Sequence, residues 1–269
     1  MKLKAAIAAT ATIGALTAFA PAMAQMGGPP SSPSPAGVAE GESAGYTQGN
    51  YAQLDQLPDW GGIWFLTFEM PAEGSGPPPQ PQLKGEYLAN YEAWRAETIA
   101  NGGVTKRDRS NCSPPGMPVL MQIPQYPFEY LFTPGRVTIN QEAWMQTRTI
   151  WTDGREHPED PDPTFNGHSV GHWEGDTLVV STSGISDQID FNTGMMHSDQ
   201  LHVEERIRLS DDDPNKLTAE ITLTDPEALA EPFTVTTSYR RDRNGAIIEF
   251  QCAENDRNPV NADGDTEFH

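Results

Sequence analysis

Beyond Pro115 hydrophobic and polar residues alternate with a period of two almost to the end of the chain. Successive side chains on a strand point to opposite faces, so this alternation predicts strands with one buried face. Arg136 to Glu142 and Met145 to Trp151 read as one hairpin, with Asp153-Gly154 closing its far end. His168 to Trp173 and Thr177 to Thr182 read as a second, turning on Glu174-Gly175-Asp176. Further strands are predicted at Leu201 to Leu209, Leu217 to Thr224, Phe233 to Arg240 and Ala246 to Ala253, each bounded by Asp, Asn, Pro or Gly. Upstream, the aromatic and β-branched stretch Asp59 to Phe68 lies between Pro58 and Pro71 and predicts the first strand. Only one segment has helical spacing: Leu83, Tyr87, Tyr91 and Trp94 recur before Asn101-Gly102-Gly103, predicting a helix near 82–100.

The intervals between these strands are too short for crossover helices, so the sheet is expected to be antiparallel. The fold class is therefore all-β with one helix: an antiparallel up-and-down, lipocalin-like (calycin-like) barrel, or a strongly curled sheet. Gly62-Ile63-Trp64 is similar to the Gly-x-Trp of the first lipocalin strand. Barrels of this size hold one small ligand, which makes a central pocket the expected site, with Trp64 and Tyr130 among its aromatic lining.

The ends read differently. Met1 to Lys4, the apolar run Ala5 to Ala20 and Ala22-Met23-Ala24 have the form of a cleaved signal peptide, 1–24. Residues 25–50 are Gly, Pro, Ser, Ala and Gln with few large apolar side chains, too little to offset ordering entropy, and predict a disordered leader. A single barrel domain is expected over 51–258, with a flexible tail at 259–269. Periplasmic or secreted localisation follows. Without Lys2 and Lys4 the chain has 15 basic against 38 acidic residues, a formal charge of −23. That excludes nucleic acid as a partner held by bulk charge, and no second apolar run reaches the length of a membrane span. Oligomeric state is not legible. In an oxidising compartment the two cysteines, Cys112 and Cys252, predict one disulfide, worth about 4–5 kcal/mol by loop entropy.

Several groups bear on chemistry. Gly167-His168-Ser169-Val170-Gly171 matches the Gly-x-Ser-x-Gly elbow of α/β-hydrolases, but an elbow needs a strand before it and a helix after it. Here prolines precede and a turn and strand follow, so a serine nucleophile is not expected and the glycines are read as relieving crowding in a twisted strand. His168, His197 and His202 lie beside strands expected to be neighbours, where they would serve as acid and base or hold a divalent metal; the leading reading requires no cofactor. Glu205 is a carboxylate among Leu201, Val203, Ile207 and Leu209 on one strand face. It is either paired, with Arg136 or Arg148, or an acid–base group. Alternation sets His202 on the opposite face unless a bulge intervenes. The acidic segment Glu156 to Asp162 lacks calcium-loop spacing and is read as solvated.

Taken together, Tyr126-Pro127-Phe128-Glu129, Thr133-Pro134-Gly135-Arg136-Val137, Thr152-Asp153-Gly154-Arg155-Glu156-His157-Pro158, Gly167 to Gly171, Trp173 to Val180, His197-Ser198, Leu201-His202-Val203 with Glu205-Arg206, Asp225-Pro226, and Glu249 with Cys252, Glu254 and Asn255 resemble a large family of secreted proteins common in acidobacteria and sphingomonad-type alphaproteobacteria. The resemblance implies that Glu129, Arg136, His168, His197, His202, Glu205 and Glu249 belong to a common pattern, and it carries no activity with it. Ser181 departs from that pattern, where Asp is usual, and so does His172, where Arg or Lys is usual.

The expected function is an exported small-molecule enzyme of the lyase, isomerase or hydrolase type. His168, Glu205, His197 and His202 supply acid–base groups, Arg136 stabilises negative charge, and Glu129, Trp64, Tyr130 and Glu249 bind substrate. The alternatives are a non-catalytic lipocalin-like carrier of a small apolar or aromatic ligand, and a metalloprotein with His168, His197 and His202 as ligands.

Overall fold

The computed structural model describes residues 51–67, 78–104 and 112–252, all within one compact unit, Ala44–His269. The expected signal peptide, leader and tail, and Glu254 and Asn255, lie outside the described residues.

Nine strands close a barrel. They are β1 (Ile63–Thr67), β2 (Phe128–Thr133), β3 (Arg136–Gln141), β4 (Gln146–Trp151), β5 (His168–Glu174), β6 (Thr177–Ser183), β9 (His202–Leu209), β10 (Lys216–Thr224) and β11 (Phe233–Asp242). Their order around the wall is β1-β11-β10-β9-β6-β5-β4-β3-β2, and pairing of β2 with β1 closes it. A short ribbon of β7 (Asp190–Asn192) and β8 (Met195–Met196) stands apart from the wall. Helix α1 (Gly85–Ala100) lies outside the barrel and buries no residue completely. It meets β7–β8 at Gly194, where φ is +73° and a Cβ would fall 2.5 Å from the Trp94 ring.

Two expectations need correction. The sheet is mixed: β4 and β5 run parallel, paired at Ile150↔Ser169 and Trp151↔Val170. Residues 152–167, with Pro158, Pro161 and Pro163, carry the chain back along the outside without a helix, a connection long enough for a parallel return. Residues 246–252 form no strand; the Ile248 amide donates to Glu142 Oε2 at 3.0 Å, and Phe250 packs on Tyr126 and Trp144. Every wall strand already has a neighbour on each side, so no whole edge is left to receive them, and the place in the wall belongs to β2, whose flanking prolines hid its alternation. The Cys112–Cys252 disulfide, with Cα atoms 5.5 Å apart, ties this terminal segment to the start of the β2 approach.

The interior is packed. Trp64, Phe128, Tyr130 and Tyr239 are buried, with ring centroids 5.5 Å apart for Phe128–Tyr130 and 5.0 Å for Phe128–Tyr239. Aliphatic side chains of β9 and β10, among them Val203, Ile207, Leu217 and Ile221, complete the same cluster.

Candidate functional site

Strands β5, β6 and β9 are adjacent and antiparallel, with Ser169↔Thr182, His168↔Ser183 and Ser181↔Glu204 in register. Alternation therefore sorts their polar residues into two sets. Ser169, Thr182 and Glu205 point into the barrel and are buried; His168, Ser181, Ser183 and His202 lie on the outer face, partly buried. No bulge interrupts β9, so Glu205 and His202 face opposite ways and do not share a pocket.

Inside, Glu205 is an ion pair. Arg148 Nη1 donates to Glu205 Oε1 at 3.0 Å, and Nη2 donates to Glu205 Oε2 as well. Nη2 also reaches Thr182 Oγ1 at 2.8 Å and Nε reaches Ser169 Oγ at 3.2 Å. The Arg148 and Glu205 side chains are each 1% exposed. The fork of the guanidinium matches both carboxylate oxygens, and the two hydroxyls accept two of the three N–H groups that remain, which is how a buried charge pair becomes tolerable. Of the two partners proposed for Glu205, Arg148 takes the role. Ser169 thus belongs to this sealed network. Its neighbour Gly167, at φ +64°, has no room for a Cβ, which would lie 2.7 Å from Ser183 O; Gly171 would meet Ile150 at 2.9 Å. The glycines of the elbow-like motif allow close strand packing.

Outside, residues 152–167 bring a histidine down onto the wall. His157 Nδ1 lies 3.1 Å from His168 Nδ1 and 3.1 Å from Ser183 Oγ, and its Nε2 lies 2.8 Å from Ser181 Oγ. Ser181 Oγ is in turn 3.4 Å from His202 Nε2. Three imidazoles and two hydroxyls form one chain. Burial pushes the pKa of both His157 and His168 below the ordinary histidine value, and positive charge on His168 and His202 lowers His157 further, as Arg155 does for His168. Arg155 itself is stacked over Trp151, 3.7 Å from the ring, and paired with Asp153.

Beside the chain is a cleft of about 340 Å³. It opens where β4 and β5 splay apart, and its walls include Thr147, Thr149, Trp151, Phe165, Asn166 and His168. This cleft lies in the wall, outside the packed interior.

The other expected site residues are dispersed. His197 is buried beside Phe191, with Nδ1 donating to Ser198 O at 2.7 Å, away from the His168 chain; its pKa too is lowered, first by burial. Arg136 bonds Thr133 Oγ1 at 3.0 Å, and Glu129 accepts from Asn140 Nδ2 at 3.0 Å. Trp64 is interior and donates to Trp60 O, Tyr130 is interior with burial raising its pKa, and Glu249 is exposed and accepts from Gln251. The expected metal set, His168, His197 and His202, is not assembled: among the described residues no three His, Cys, Asp or Glu side chains are grouped to hold one ion. Not among the expected site residues were Ser183, Ser181, which stood out only as a departure from the resemblance pattern, and His157, which fell in the acidic segment read as solvated. The two serines share the alternation of His168's hairpin and were within reach of pattern; His157 was not, because only the parallel return delivers it.

No protein-family model matches the chain, and no curated protein matches it as a relative.

Proposed function

We propose that this is an exported, periplasmic or secreted small-molecule enzyme of the lyase, isomerase or hydrolase type, with acid–base chemistry at His168 on the outer wall. The signal-peptide pattern and the disulfide support export. No helix among the described residues is long and apolar enough to cross a membrane. One observation carries the catalytic reading: two imidazole Nδ1 atoms 3.1 Å apart beside a cleft. Such a contact needs a proton on one nitrogen and a lone pair on the other. If His157 donates, His168 carries its own proton on Nε2 and acts as an acid; if His168 donates, its Nε2 is a lone pair and acts as a base. His157 exchanges the compensating proton with Ser181, and Ser181 with His202. Lowered pKa values keep the pair neutral and ready in either sense near pH 7. Glu205, engaged by Arg148, is withdrawn from the catalytic set and holds the wall together.

The test is a panel of soluble esters, lactones and hydroxy acids followed by NMR for turnover. Turnover should fall by about a hundredfold or more in His168→Asn with unchanged thermal stability. Full activity in both His168→Asn and His157→Asn contradicts the proposal.

A further inference from the structure

The cleft exists because a parallel pairing stops short. Thr152 N donates to Gly135 O at 2.8 Å, which fixes the alternation of β4: residues 150, 148 and 146 bond to β3, while Trp151, Thr149 and Thr147 direct their backbone groups towards β5. The β5 partner covers only Ile150 and Trp151. Among the described residues, the Thr147 N–H and the Thr149 N–H therefore have no strand partner. Thr147 C=O has only a marginal one, Asn166 Nδ2 at 3.5 Å. Across the gap, Phe165 O is taken by Met117 N and Gly167 N by Thr164 O. Asn166 also reaches Gln146 Oε1 at 3.4 Å, and its own Oδ1 is buried without a partner. Trp151 and Phe165 give the same cleft two aromatic walls.

The unpaired N–H groups of Thr147 and Thr149, with Asn166 Oδ1 left without a partner beside them, are complementary to an amide backbone. We infer that the cleft binds an extended peptide or peptide-like amide, which adds to β4 as a short strand beside Thr147 and Thr149 and accepts or donates at Asn166. About 340 Å³ is at the small end for ligand sites and suits about two or three residues. The inference names the substrate class of the proposed enzyme; it rests on that reading for the chemistry at His168, though not for binding.

The test uses the full mature chain and a pool of N-acetylated, C-amidated tetrapeptides with Gly, Ala, Leu, Phe, Lys or Glu in the central positions. Amide resonances of Thr147 and Thr149 and the Asn166 side-chain amide should shift in NMR titration. N-methylating the best binder at one amide at a time should weaken it about tenfold at alternate positions only, the worth of one hydrogen bond to a strand edge. Absence of shifts at these residues at millimolar peptide, or affinity indifferent to N-methylation, overturns the inference. His168→Asn separates the two claims: peptide that binds the variant as it binds the parent, and that neither protein turns over, leaves the inference standing and removes the acid–base reading.

Discussion

The wall formed by β5, β6 and β9 carries a polar network on each face, built from neighbouring residues: Ser169, Thr182 and Glu205 inside, and His168, Ser181, Ser183 and His202 outside. The inner one is sealed, and its guanidinium and carboxylate are matched atom to atom. The outer one is half-open and joined by imidazole contacts that admit two proton arrangements. A charge taken wholly out of water must be fixed in one geometry to be borne at all, whereas catalysis needs groups that change protonation within reach of solvent. The face of the sheet, more than the residue type, decides which role a polar side chain takes.

The largest effect should come from the inner face. Glu205→Gln leaves Arg148 buried without a countercharge and should cost about 3–5 kcal/mol in urea unfolding. Arg148→Met with Glu205→Leu should recover most of that loss, and a single variant with unchanged stability would undo the comparison. Ser169→Ala removes one acceptor from Arg148 Nε and should cost about 1–2 kcal/mol while leaving turnover intact and fluorophosphonate probes without a target; labelling at Ser169 would return the elbow reading.

On the outer face the effects are smaller and depend on pH. His157 and His168, like buried His197, have folded pKa values below the ordinary 6.5, so the unfolded chain binds more protons in that window. Stability should therefore fall as pH drops below about 6.5, and His157→Asn with His168→Asn should flatten part of that slope in thermal melts between pH 7 and 5. A slope identical to the parent's would show that the pair is not coupled to folding. Smallest is Ser181→Asp, which introduces the residue that the resemblance would place there. A carboxylate between His157 and His202 should raise the His157 midpoint by about one unit in NMR titration, with little change in stability.

Eight of the nine wall strands were legible, seven because alternation survives in the sequence and β1 because its aromatic and β-branched residues lie between prolines. β2 was obscured by Pro124 and Pro127, and the strand expected at 246–253 was a true alternation with no edge left to join. The oddity of Glu205 was readable as a misfit, and its alternatives reduced to one only when β3–β4 pairing set Arg148 inward. His157 stood in one stretch of the resemblance, but its place on the wall was unreadable because it depends on a parallel return through an acidic, proline-rich segment whose composition signals only a loop.

The central claim is that the outer face holds a coupled, neutral imidazole pair, and imidazole ¹⁵N spectra recorded through a pH titration test it most directly. The account predicts that near neutral pH one of the two Nδ1 atoms of His157 and His168 carries a proton and the other a lone pair, and that both residues protonate below 6.5. Two histidines that titrate independently near 6.5, with no through-bond or exchange signature between them, would contradict it.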